Sequence, residues 1–144
     1  MPTYASQRLS ASHAVRAYAN IGLETEVLAA SPERLTSLLF SGARAAIAKA
    51  RLYMEGGQIA ERGKAISHAT RIVDEGLKQS LNQASGGEIA ANLASLYDYI
   101  IRCLLTANLK SDPKQLDVAD RLLADLQEAW QQAVDPKPGD AGTT

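Results

Sequence analysis

Apolar residues return along this chain at helical intervals. Leu35, Leu38, Leu39, Gly42, Ala43, Ala46, Ile47, Ala50 and Tyr53 keep the i, i+3, i+4 spacing of one buried face. Ile59, Ile66, Ala69, Val73, Gly76, Leu77 and Leu81 mark a second stripe, and Leu116, Ala119, Leu122, Leu123, Leu126, Trp130 and Ala133 a further one. The stretch between these two carries a pair of stripes. One runs through Ile89, Leu93, Leu96, Ile100, Leu104 and Ala107, the other through Ala90, Ala94, Tyr97, Ile101, Leu105 and Asn108. Together they cover far more than the ~100° arc that a bundle helix buries. Such a helix is either a central one, touched by every neighbour or by the N-terminal segment, or one of its faces docks a partner helix.

Proline and glycine set the boundaries. No proline lies between Pro32 and Pro113. Ser31-Pro32-Glu33 and Asp112-Pro113 each read as an N-cap followed by proline at the first helical position, where its missing N–H costs nothing. Gly56-Gly57 and Gly86-Gly87 divide the proline-free interval into three nearly equal parts and suit helix C-terminal turns. The spacing predicts helices over about 32–55, 58–84, 87–110 and 113–134. Short loops force consecutive helices antiparallel. The expected fold is all-α, an antiparallel up-down four-helix bundle over 31–134. Residues 1–30 are polar with spaced apolar anchors and read as a short cap segment, with a short helix near 12–20. Residues 135–144, rich in Pro, Gly and Asp, read as a disordered tail.

Composition narrows the function. A chain of 144 residues fits one domain and one core. Lys and Arg total 15 against 16 Asp and Glu, a net charge of −1, which disfavours a nucleic-acid partner. The lone Cys103 sits in an apolar run and reads as a buried filler rather than half of a disulfide. Neither a secretory signal nor a run of roughly 20 apolar residues is visible, so a cytoplasmic protein without membrane insertion is expected.

Chemistry is hard to place on these residues. No glutamate has a histidine three positions on, and His13 and His68 lie in different elements, so a bundle metal site is not expected. Neither glycine pair leads into the Lys-Ser/Thr of a phosphate loop. Cys103 has no surroundings that would lower its pKa. We expect no cofactor and no enzyme activity. Asp98, between Tyr97 and Tyr99, together with Asn92 and Asn108, reads either as polar groups bonded across the bundle or meeting water at its edge, or as the frame of a peptide groove; the first suits Asp98 better and the second Asn92.

Several strings are specific when taken in order. Val27-Leu28-Ala29-Ala30-Ser31-Pro32-Glu33-Arg34-Leu35 precedes Leu38-Leu39-Phe40-Ser41-Gly42-Ala43. Gly86-Gly87-Glu88-Ile89-Ala90-Ala91-Asn92-Leu93 leads into Leu96-Tyr97-Asp98-Tyr99, then Leu104-Leu105-Thr106-Ala107-Asn108-Leu109-Lys110 and finally Trp130. From about Tyr18 to Trp130 the chain resembles the FliS family of flagellin export chaperones. Ser41 stands where many members carry an acidic residue before the glycine.

The resemblance implies a four-helix bundle with an N-terminal cap and a partner, the C-terminal segment of newly made flagellin. It implies that this segment is kept from polymerising and competent for flagellar type III export in the cytoplasm. It also implies contacts with a flagellar co-chaperone, a regulator or an export-gate component. By position relative to Ser31-Pro32, Tyr18 matches a family tyrosine that matters for client binding, and Ile21 would accompany it. Groove candidates are Ile47, Asn92, Leu93, Leu96, Tyr97, Tyr99 and Asn108. Two other readings fit the residues: a helical adaptor for another export substrate or a flagellar regulator, and a cofactor-binding or enzymatic bundle.

Overall fold

A computed structural model describes residues 30–81 and 83–134. The N-terminal cap segment, with Tyr18 and Ile21, and the tail over 135–144 lie outside the described residues. Four α-helices and one π-helical segment make up the described chain: α1 (Pro32–Glu55), α2 (Ile59–Arg71) continuing as a π-helix (Ile72–Lys78), α3 (Gln83–Lys110) and α4 (Pro113–Val134). Among the described residues there is no strand, and no helix is long and apolar enough to cross a membrane.

Local chemistry sets most ends where the punctuation places them. The Ser31 hydroxyl accepts from the Arg34 N–H at 3.2 Å with Pro32 behind it, and Asp112 accepts from the Lys114 N–H at 3.0 Å ahead of the same proline step. At the end of α1, Gly57 takes a left-handed φ of 69°. The Gly57 N–H then reaches the Met54 carbonyl (3.2 Å) and the Gln58 N–H the Tyr53 carbonyl (2.9 Å), closing a Schellman turn. Ser111 plays the same part after α3 with φ 53°, and the Asp112 N–H closes on the Ala107 carbonyl at 3.0 Å.

Two boundaries differ from expectation. The second helix was expected to run to about 84. It widens into a π-helix at Ile72, stops at Lys78 and turns at Gln79 and Ser80, where the Ser80 hydroxyl donates to the Leu77 carbonyl at 2.8 Å. The third element begins at Gln83 but breaks at Gly87, whose φ of 58° and ψ of −130° are not helical. Glycine enters that region readily and other residues do not. A Cβ at Gly87 would meet nothing within 4 Å, so Gly87→Ala is expected to cost backbone strain alone, about 1–3 kcal/mol. Urea unfolding measures it. Gly57→Ala, likewise open and left-handed, should behave similarly.

Helix directions follow from side-chain pairs across the seams. Between α1 and α4, Glu33 pairs with Trp130, Ser41 with Gln127, Arg44 with Asp120 and Arg51 with Asp117, so one number rises as the other falls. Arg62 with Asn108 and Lys78 with Asp98 show the same antiparallel order for the second and third elements. Both α1 and α3 pack on the α2–π element and on α4, so they occupy opposite corners. The bundle is therefore up-down-up-down. Its core holds Leu39, Ile47, Ile66, Ile72, Leu77, Ile100, Leu104, Leu116 and Leu123 at full burial. Cys103 is buried among them, as expected of a filler.

Candidate docking surface

The long helix α3 departs from its neighbours because it carries apolar residues beyond its buried stripe. Its core contacts come from both sequence stripes at once: Ala90, Ala94, Tyr97, Ile100, Cys103, Leu104 and Ala107 are buried. Beside them, Ile89 and Leu105 from the two stripes, and Tyr99 and Leu109 from outside both, face outward. Ile89 is 74% exposed, Tyr99 45%, Leu105 55% and Leu109 84%. Leu93, Leu96 and Ile101 are half-buried and pack on the core. As a corner helix between two described neighbours, α3 is not a central one. Its surplus apolar surface lies along both edges of the buried stripe and is not absorbed by the described bundle, while cover by the N-terminal segment lies outside the described residues; exposed apolar side chains along a helix are what a partner helix packs against.

The expected groove residues divide accordingly. Ile47 (1% exposed) and Tyr97 (4%) lie in the core. Asn92 and Tyr99 are exposed on α3, and Leu93 and Leu96 are half-buried beside them. Arg102 lies over the Tyr99 ring, 5.7 Å from its centroid, which holds the ring against the helix and shields one face with a cation. Asn108 is half-buried at the α2–α3 seam. Ile59, expected on a buried stripe, is exposed, as is Leu52. The α2 stripe turns inward only from Ala65 onward, so the first turn after Gly57 extends beyond the core.

One ion pair and a set of arginine hydrogen bonds tie α3 to the second element. Lys78 donates to Asp98 at 2.7 Å, which ties the end of the π-helix to the middle of α3, so Asp98 is bonded across the bundle as expected. The hydrogen bond to Asp98 raises the Lys78 pKa above its ordinary value. At the other end Arg62 binds α3 three times: Nε to Asn108 Oδ1 (3.1 Å), a terminal nitrogen to the Asn108 carbonyl (3.1 Å) and the other to the Ser111 hydroxyl (2.8 Å). A cation on terminal carbonyls suits the negative end of a helix. Sequence reading did not single out Arg62, since nothing in a lone arginine on a polar face tells which helix end it reaches.

Burial pushes the Tyr97 phenol up to about 12 from 10.0. Between those values the unfolded chain releases this proton and the folded chain keeps it, so stability should fall as pH rises through that window and be unaffected below it. The full loss across that window is about 3 kcal/mol. Thermal melts between pH 9 and 12 test this, and Tyr97→Phe should flatten the alkaline limb.

Among the described residues no three His, Cys, Asp or Glu side chains converge as metal ligands. The described part of α3 offers apolar docking surface beside the Lys78–Asp98 ion pair and the Arg62 hydrogen bonds.

The family described as flagellar protein FliS matches residues 14–137. The flagellar secretion chaperone FliS of Salmonella typhimurium is 46% identical over 123 residues, covering 85% of this chain and 90% of the relative. The Escherichia coli protein of the same name is 35% identical over 124 residues, 86% and 91% of the two chains. The flagellar secretion chaperone FliSB of Pseudomonas aeruginosa is 38% identical over 120 residues, 83% and 94%.

Proposed function

This chain belongs to the FliS family, and we propose that it works as a cytoplasmic flagellar secretion chaperone whose client is the C-terminal segment of flagellin. The observation that supports the client is the apolar surface left over on α3, where Ile89, Tyr99, Leu105 and Leu109 are exposed along the edges of one helix of the described bundle. A flagellin end that later polymerises through amphipathic helices carries apolar stripes of its own. Covering them on α3 hides the surfaces that would nucleate a filament. Ordering a disordered client costs about 2–5 kcal/mol, which a long apolar contact can offset.

In this reading Asn92, Leu93, Leu96 and Tyr99 line the client path along one edge of α3, and Asn108 lies on its other edge, at the α2–α3 seam. Ile47 and Tyr97 hold the helices beneath it. Tyr18 and Ile21 act from the N-terminal segment, which covers the path in the free protein and yields to the client. The role is binding without catalysis, and release needs no nucleotide because export itself draws the client away. The same face offers a place for a co-chaperone, a regulator or an export-gate component once the client has left.

Seeded flagellin polymerisation followed by light scattering tests the proposal. An equimolar amount of this chain should suppress filament growth, and flagellin lacking its C-terminal segment should not compete for it. Unchanged growth at saturating chain would refute the chaperone–flagellin pairing and point to the adaptor for another export substrate.

A further inference from the structure

Between α2 and α3 a shallow groove is lined by Gly63, Lys64, Ser67, His68, Arg71 and Asn108. Arg62 determines what this groove presents. An arginine side chain only donates, so the Asn108 side-chain atom that meets Arg62 Nε at 3.1 Å must be the carbonyl oxygen. The amide orientation is thereby settled by chemistry rather than by choice of flip. Its nitrogen is turned the other way, over Gly63, where a Cβ would stand 3.9 Å from it. With no side chain of its own, Gly63 puts nothing between that NH2 and the groove.

Two other lining residues, Lys64 and Arg71, are cations, and the Ser67 and His68 side chains can donate as well. None of the six residues is a carboxylate. The acidic neighbours are loosely held: Lys64 lies 3.7 Å from Glu61 and Arg71 3.5 Å from Glu75, both in exposed pairs. Exposed pairs of this kind contribute little and yield to a better-placed acceptor. Leu105, Leu109 and Ile59 are exposed on the same two helices.

We propose that this groove is the acceptor pocket of the client path, where Asn108, Lys64 and Arg71 bind a carboxylate of the flagellin C-terminal segment while its apolar neighbours lie along Leu105 and Leu109. The inference rests on the flagellin reading and adds a register: an acidic side chain seats at Asn108, so the client binds α3 in one alignment rather than sliding along an apolar strip. Charge and a fixed amide give that alignment, and apolar burial gives the affinity.

Position 63 tests it, because a side chain there enters the groove without entering the core. Both Glu and Lys are better helix formers than glycine, so Gly63→Glu and Gly63→Lys should keep their helix content and melting temperature. The probe is a labelled peptide of the flagellin C-terminal segment, titrated by fluorescence anisotropy at low and high salt. Wild-type affinity should weaken with salt. Gly63→Glu, which supplies its own carboxylate, should bind at least tenfold more weakly and lose most of the salt dependence. Gly63→Lys should bind as well as wild type or better. Equal losses in both variants would mean simple steric covering and would overturn the carboxylate pocket, as would unchanged binding in both. In either case binding by the wild type would leave the flagellin reading standing. No binding by the wild type would overturn both.

Discussion

Leu39→Ala should be among the most damaging single substitutions in this bundle, costing about 2–5 kcal/mol. Leu39 is fully buried on α1 and points at Gly76 of the π-helix. A Cβ at Gly76 would stand 2.8 Å from Leu39 Cδ2 and 2.9 Å from Cδ1, so the leucine already fills the space a side chain would take. Removing its isobutyl end leaves a void between two backbones that cannot collapse independently. The converse substitution, Gly76→Ala, overfills the same site and should cost about 1–3 kcal/mol on its own. The two together should cost less than their sum, because the new methyl occupies part of the void. Urea unfolding of the four proteins in this cycle measures the coupling, expected at about 1 kcal/mol or more. Strict additivity would mean that Leu39 and Gly76 do not share the site.

Tyr99→Asp and Leu105→Asp should act on binding and leave the fold alone. Both side chains are largely outside the core, and surface changes of this kind usually alter stability by less than about 0.5 kcal/mol. Burying a leucine or an aromatic side chain against a partner is worth about 1.5–3 kcal/mol, and a carboxylate left in the apolar contact adds a further cost. Each variant should therefore bind the flagellin segment at least tenfold more weakly, with melting temperatures close to wild type. Ile47→Ala supplies the contrast, since it should lower stability first and binding only as the fold weakens. Full affinity in both α3 variants would remove this helix from the client path.

Much of the fold was legible because its signals are local. Ser31-Pro32 and Asp112-Pro113 carry their capping chemistry in adjacent residues, and Gly56-Gly57 carries its own left-handed turn. Periodicity marked the faces of α1 and α4 for the same reason. The π-helix was not legible, because Ile72, Val73, Gly76 and Leu77 read equally well as one more turn of an α-helix. Nor was its packing legible, since Gly76 lies against Leu39 of another helix, far away in sequence. The docking face was legible only in outline. Two apolar stripes on one helix announce surplus surface, but the buried stripe runs down the seam between them, taking Tyr97 and Ile100 inward and leaving Tyr99 and Leu105 outside. Which edge is which depends on where α4 and the α2–π element sit. Asn108 shows the same limit: a half-buried amide gains its meaning only once Arg62 is seen to occupy its oxygen.

The central claim is that α3 buries apolar client surface. Titration calorimetry of the intact chain against the flagellin C-terminal peptide, repeated across a range of temperatures, tests it directly. One-to-one binding with a strongly negative heat-capacity change is the predicted result, since apolar burial coupled to ordering leaves that signature. Absence of binding at tens of micromolar by a folded chain, or binding with a heat-capacity change near zero, would contradict it.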